Sequence, residues 1–269
     1  MEASGSGRRR DRDHFKRMSH NQGKRIPDRW LNYDPVGRDL KDTRFVPFKT
    51  PLDRSFFSGK SLDPRLHFEV QDLLYKAKSA GERIGLVVDL TNTDRYYRKS
   101  EWNENDVEYI KINCPGHTVN TREDIVQEFN SIINEFFSNK ENDGKLVGVH
   151  CTHGLNRTGY LICRYLIDER GFTAGDSISL FEYSRGHPIE RSEYKKSLYE
   201  AEIRRKNRIS QENQVGSQEN QDGKLDGIQQ DQIIPAQDIQ EVGGQEDQDP
   251  SPQVVQEVES QEVQLPVQA

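Results

Sequence analysis

The chain has 269 residues, with 38 Lys plus Arg against 45 Asp plus Glu, a formal net charge of −7 and a mean hydropathy of −0.95. Only 32% of residues are hydrophobic, no apolar run approaches the roughly 18 residues a spanning helix needs, and the opening MEASGSGRRRDRDHFKR lacks the apolar centre of a secretory signal. A membrane-embedded class is therefore excluded, the protein is expected on the reducing side of the cell, and its three cysteines, odd and sparse, do not make a disulfide framework.

In chain order, residues 1–25 carry eight Lys or Arg against three acids and read as a basic, disordered segment. Residues 26–208 have the length of one domain. Within them Ile84–Leu90, Val107–Ile112 and Lys145–Val149 read as strands, the first and third nearly continuous in apolar residues, as buried parallel strands are. Helical spacing predicts helices over Leu66–Lys78, over 122–137 behind a Thr121 cap, over 158–170 up to Gly171, and over about 173–185 and 191–206. Strands alternating with helices imply a three-layer α/β domain around a mainly parallel sheet. Residues 209–269 hold sixteen Gln, one Lys, thirteen acids and no aromatic residue, too little apolar surface to offset the entropy of ordering, and read as a disordered Gln/Glu-rich tail. Removing its −12 from the whole-chain −7 leaves residues 1–208 at +5, which points to an anionic partner.

Chemistry concentrates where the third strand ends, in His150-Cys151-Thr152-His153-Gly154-Leu155-Asn156-Arg157-Thr158-Gly159. A strand, a tight loop and a helix N-terminus form an anion cradle: inward N–H groups and the helix dipole stabilise a tetrahedral phosphate, and Gly154 lets the loop turn. The same field lowers the pKa of the Cys151 thiol. Arg157 offers a planar fork to two phosphate oxygens, Thr158 can hydrogen-bond the sulfur, and His150 can orient the loop. The other thiols lack this setting: five intervening residues lead from Cys114 to Asn120 and from Cys163 to Glu169, and both read as structural. Metal ligation by His150, Cys151 and His153 is the competing use. No second Cys/His pair stands at zinc spacing and Arg157 repels a cation, so neither metal nor cofactor is expected.

The His-Cys-x5-Arg-Thr loop resembles the signature of the cysteine-dependent phosphatases of the protein tyrosine phosphatase superfamily. With Val88-Asp-Leu-Thr-Asn-Thr93, Tyr109-Ile-Lys-Ile-Asn-Cys-Pro-Gly-His117 and the opening Ile26-Pro-Asp-Arg-Trp-Leu-Asn-Tyr33, it is similar to the RNA triphosphatase branch of the atypical dual-specificity phosphatases, which includes the N-terminal domain of mRNA capping enzymes. The resemblance covers about 26–205. It implies the fold of that superfamily, hydrolysis of RNA 5′-terminal phosphates through a phosphocysteine on Cys151, phosphate binding by Thr152, His153, Gly154, Leu155, Asn156, Arg157 and Thr158, a late loop with Arg191 beside the pocket, a nuclear address that includes nuclear speckles with some protein in the cytoplasm, and ribonucleoprotein or splicing-factor partners.

Protein phosphatases of that superfamily carry an acidic Asp in a loop that here reads Asn113-Cys-Pro-Gly-His-Thr-Val-Asn-Thr121, without a carboxylate. A positioned acid is worth ~10²–10⁴-fold, a serious loss for a phenol leaving group of pKa ~10, whereas a phosphate of second pKa ~6 needs far less help. The missing acid favours polyphosphate substrates over phosphoproteins, with dual-specificity phosphoprotein hydrolysis as the alternative. His117, Glu123 and Asp124 are substitute donors, the last two reading first as helix caps. Arg95, Arg98 and Lys99 are candidate extra cations, with a solvated charge run as the plain alternative. Tyr96, Tyr97 and Trp102 are candidate base-stacking residues, with core packing the commoner use. Lys224-Leu-Asp-Gly227 matches a nucleotidyltransferase element but lies in low-complexity sequence. Arg8–Arg10, Lys16, Arg17 and Arg204–Arg208 read as basic arms.

Overall fold

The computed structural model describes residues 24–222, and their side chains as far as residue 212. All but Lys24 and Arg25 of the basic N-terminal segment, the tail beyond Asp222 and the Lys224–Gly227 element lie outside the described residues.

Four strands, β1 (Phe45–Lys49), β2 (Ile84–Asp89), β3 (Glu108–Lys111) and β4 (Leu146–Cys151), form a wholly parallel sheet in the order β1-β4-β2-β3. The helices are α1 (Val70–Ser79), α2 (Ser100–Asn103), α3 (Glu123–Ser138), α4 (Asn156–Asp168), α5 (Ala174–Arg185) and α6 (Ser192–Asp222). Side chains of a strand alternate between faces, and the core divides accordingly. Leu86, Val88, Val147, Val149 and Cys151 pack against α3–α6, while Val46, Phe48 and Val87 pack against Trp30, Phe68, α1 and Trp102 of α2. The result is the expected three-layer α/β fold of the protein tyrosine phosphatase type.

Two readings of local structure need correction. Strand β1 escapes the periodicity because Pro47 interrupts a short run. Proline is tolerated at a sheet edge, where β1 lies, and the segment 36–40 covers that edge through antiparallel bridges Val36–Phe48 and Leu40–Phe45. Thr121 does not cap α3: its hydroxyl turns back to Thr118 O at 2.9 Å, within a one-turn 3-10 helix, and Arg122 occupies the cap position. Helix α2, a single turn, is too short for helical periodicity to register, and the other differences are at boundaries. Helix α1 begins at Val70 behind a Glu69/Asp72 capping box, and the backbone of α6 stays helical past Arg208 to Asp222.

Helix α4 has almost no exposed face. Thr158 through Ile167 are all buried, because α4 is enclosed by β4, α3 and α5. A helix anchored on every side is a firm base for the loop at its N-terminus.

Candidate active site

Cys151 is the last residue of β4, opposite Lys49 of β1, and α4 starts at Asn156, so residues 152–155 make the turn between sheet and helix. Burial by itself disfavours the Cys151 thiolate. The Arg157 charge, the Thr158 hydroxyl and the backbone N–H groups of Thr158 and His153 outweigh it and hold the thiol below its ordinary pKa. Thr158 Oγ1 is buried with no oxygen or nitrogen partner, which leaves its proton for the sulfur. The other two thiols behave oppositely: burial pushes Cys114 up to about 12 and raises Cys163, whose Sγ faces Ser177 O at 3.3 Å.

The turn is clamped from outside. Gly154 has φ +69, and a Cβ there would lie 2.2 Å from Phe48 O, so the loop rests against β1 only because position 154 has no side chain. Arg185, at the end of α5 and fully buried, donates from Nε to Gly154 O at 3.1 Å and from Nη2 to His153 O at 3.0 Å and Asp34 O at 2.7 Å. With the loop carbonyls pulled outward onto this guanidinium, the loop N–H groups are left to face the sulfur. Burial lowers the Arg185 pKa to about 10, which the Cys151 and Asp34 charges oppose. Arg157 is poised by carbonyls, donating from Nη1 to Leu90 O at 2.8 Å and Cys114 O at 2.9 Å and from Nη2 to Thr152 Oγ1 at 3.3 Å. Asn156 looks the other way: its Oδ1 accepts from the backbone N–H groups of Glu190 at 2.9 Å and Arg191 at 3.1 Å, tying the late loop to the cradle.

A cavity of about 240 Å³ opens above the sulfur, lined by Cys151, Thr152, His153, Asn156, Arg157 and Arg191 from the expected set, and by Arg29, Gly116, His117, Glu190 and Tyr194. Leu155 is buried and Gly154 packs on β1, so these two shape the loop without lining the cavity. Arg191 lies 3.5 Å from His117 and pairs with Glu193 at 3.2 Å. Such a site can take a tetrahedral dianion against the loop N–H groups and the Arg157 fork, with the thiolate behind the phosphorus, in line for displacement.

Other candidates go elsewhere. Arg98 and Lys99 line a separate cleft with Tyr96, Tyr97 and Tyr109, and Arg95 lines another with Lys24 and Arg25, so none of these cations reaches the Cys151 cavity. Tyr96, Tyr97 and Trp102 are core residues. Glu123 pairs with Arg164 at 2.7 Å and Asp124 with Arg122 at 2.6 Å, both away from the sulfur. Arg204, Arg205 and Arg208 face a groove with Arg164, Asp168 and Glu169.

Behind β4, His150 supports the loop as part of a buried network. Its Nδ1 lies 3.3 Å from Cys151 O, and its Nε2 lies 2.7 Å from the Tyr97 hydroxyl. Tyr97, Tyr109 and Lys111 donate to Asp89 Oδ2 at 3.1, 2.9 and 3.0 Å, and Thr91 N donates to Oδ1 at 2.8 Å. Burial raises the Asp89 pKa, but His150, Lys111 and the Thr91 bonds reverse the sign and keep the carboxylate ionised, while burial lowers His150 more than Asp89 restores it.

Sequence reasoning missed Arg185, Arg29 and Glu190. Arg185 reads as an ordinary basic residue in a last helical turn, and nothing in the linear order brings it to residues 153 and 154. Arg29 stands inside the quoted Ile26–Tyr33 stretch without a chemical role, and Glu190 adjoins the expected Arg191.

Comparison with known proteins agrees with this geometry. Residues 68–204 match the family described as "Dual specificity phosphatase, catalytic domain". The chain is 65% identical over 184 residues to the "RNA/RNP complex-1-interacting phosphatase homolog" of Caenorhabditis elegans, spanning 68% of this chain and 79% of that protein. It is 46% identical to the "RNA/RNP complex-1-interacting phosphatase" of Homo sapiens over 75% of this chain but only 60% of that protein. It is 40% identical to the "Tyrosine-protein phosphatase" of Autographa californica nuclear polyhedrosis virus, over 64% of this chain and 98% of that one. With its nucleophile, arginine and cradle in one loop, the chain belongs to the atypical dual-specificity phosphatases, cysteine-dependent phosphatases of the protein tyrosine phosphatase superfamily.

Proposed function

We propose that the chain removes the γ- and then the β-phosphate from RNA 5′ ends and leaves a 5′-monophosphate. Cys151 Sγ attacks the terminal phosphorus, the bond to the bridging oxygen breaks, and the shortened RNA leaves with that oxygen. Water then attacks the phosphocysteine, releasing orthophosphate and regenerating the thiolate. Arg157 and the loop N–H groups hold the equatorial oxygens in both steps.

The observation that carries this reading is the lack of a free carboxyl group beside the leaving oxygen. Among the described residues, Glu190 is the only carboxylate lining the cavity, and it is engaged by Arg29, Tyr33 and Asn156. A phosphate leaving group tolerates this, whereas an alcohol or a phenol forfeits the ~10²–10⁴-fold contribution of a positioned acid. The arginines around the mouth and the names of the nematode and human relatives, which pair a phosphatase with RNA/RNP complexes, support the same substrate class. Ribonucleoprotein or splicing-factor partners and residence in the nucleus, nuclear speckles included, with some protein in the cytoplasm, belong to this proposal.

The test is phosphate release in EDTA from 5′-triphosphate RNA labelled at the γ or β position, beside a phosphotyrosine peptide at equal concentration. Release of γ before β, faster than peptide turnover and abolished by Cys151→Ser, is expected. Faster peptide turnover would instead establish the phosphoprotein reading, which the name of the viral relative favours.

A further inference from the structure

We propose that Arg29 is a second phosphate-binding arginine of this pocket and engages the phosphates that follow the one held over Cys151; the proposal rests on the polyphosphate reading above. Arg29 comes from the N-terminal Ile26–Tyr33 stretch, far in sequence from the catalytic loop, yet it lines the same cavity as Cys151, Arg157 and Arg191. Its backbone has φ +56, a conformation that residues with a Cβ rarely adopt, and strain of this kind persists only where the surroundings impose it. Here the neighbours on both sides impose it. His153 Nε2 of the catalytic loop lies 2.7 Å from Asp28 O, and buried Trp30 donates from Nε1 to Thr50 O at 2.9 Å.

The guanidinium is held in place without being used up. Nη2 donates to Glu190 Oε1 and to the Tyr33 hydroxyl, and Nη1 to Glu190 Oε2 at 3.4 Å. Of the five N–H donors of a guanidinium these contacts use three, leaving the Nε hydrogen and one on Nη1 for an anion. Glu190 is itself fixed by Asn156, which receives its N–H at 2.9 Å, so the holder of Arg29 and the loop that holds the reacting phosphate are one connected unit. Charge points the same way. An unpaired Glu190 carboxylate would repel a phosphate train at the mouth. With Arg29 upon it, that wall presents donors instead. A single terminal phosphate fills the loop and the Arg157 fork, and only a longer chain has oxygens left for Arg29.

The experiment follows hydrolysis of p-nitrophenyl phosphate by the full chain and its Arg29→Ala and Arg29→Lys variants, with orthophosphate and inorganic tripolyphosphate as competing inhibitors. Arg29→Ala is expected to raise the inhibition constant of tripolyphosphate about 10-fold more than that of orthophosphate, the size of one charge-assisted hydrogen bond, and Arg29→Lys, which keeps the charge but loses the fork, to fall between. Equal effects on both inhibitors, or none, would overturn the proposal. If Arg29→Ala fails to fold, Arg29→Lys decides by the same ratio. Wild-type protein that releases no phosphate from triphosphate RNA, yet shows the expected inhibitor ratio, would refute the RNA substrate and leave Arg29 in its role. RNA turnover that is untouched in Arg29→Ala would do the reverse.

Discussion

Three thiols of one sequence separate by environment alone. Cys151 sits where Arg157, the Thr158 hydroxyl and two backbone N–H groups overcome its burial, whereas burial prevails at Cys114 and Cys163. Iodoacetamide reacts with thiolate, so at pH 7 it is expected to modify Cys151 and spare the other two, as read by peptide mass spectrometry. Because the Cys151 pKa is depressed in the fold, the labelling rate should hold below the range of a free thiol and fall only as pH drops through the folded value. In Arg157→Ala that fall should move to higher pH. Comparable labelling of Cys114 would refute the assignment. Arg185 is the residue on which the loop carbonyls depend. Arg185→Met leaves Gly154 O, His153 O and Asp34 O without their buried donor, an expected loss of about 2–4 kcal/mol in urea unfolding, with kcat/KM down at least ~10-fold because the N–H groups of the loop lose their aim.

At the scale of elements, strand, turn and helix work as a unit because each is held by something else. Strand β4 lies between β1 and β2, α4 is buried along most of its length, and Gly154 presses the turn onto the end of β1. Gly154→Ala combines a positive φ with a Cβ 2.2 Å from a carbonyl oxygen that belongs to the backbone and cannot swing aside. The turn must then lift away from β1 and carry the cradle out of register with the sulfur. Turnover of any phosphate ester should fall ~10²-fold or more, with a smaller loss of thermal stability, since the core on both faces of the sheet stays intact. Steady-state kinetics beside a melting curve distinguish this outcome from simple unfolding, in which both would collapse together.

At the scale of the whole molecule, the Asp89 network joins β2, β3 and β4 behind the catalytic loop. Its pH dependence has one sign. The folded carboxylate has a depressed pKa, so its contribution is complete above the unfolded value near ~3.9 and is lost as pH falls through the folded one. His150 adds in the same direction: held neutral by burial, it makes the unfolded chain the better proton acceptor as pH falls through ~6.5. Asp89→Asn should therefore lower the melting temperature at pH 7 and flatten its decline between pH 5 and 3. A decline parallel to that of the wild type would exclude Asp89 as its source.

Much of this was legible in the linear order. Cys151, Arg157, Thr158 and the glycine turn lie within nine residues, and a strand, a loop and a helix are set by local periodicity and by backbone geometry that neighbours along the chain impose. Hence the sequence by itself determined the fold class, the loop that carries Cys151 and Arg157 together, the lack of a carboxylate in the 113–121 loop and the buried setting of the other two cysteines. Only the tertiary structure decided which cations share the cavity. It brought in Arg29 and excluded Arg95, Arg98 and Lys99, and it set Arg185 behind the loop, Glu190 on the wall and Trp102 in the core. The physical reason is range. Charge and hydrogen bonding act across a few ångströms of space, and contacts such as Arg29 with Glu190, Arg185 with Gly154 and Tyr97 with His150 close over 161, 31 and 53 residues of chain, where no local pattern records them.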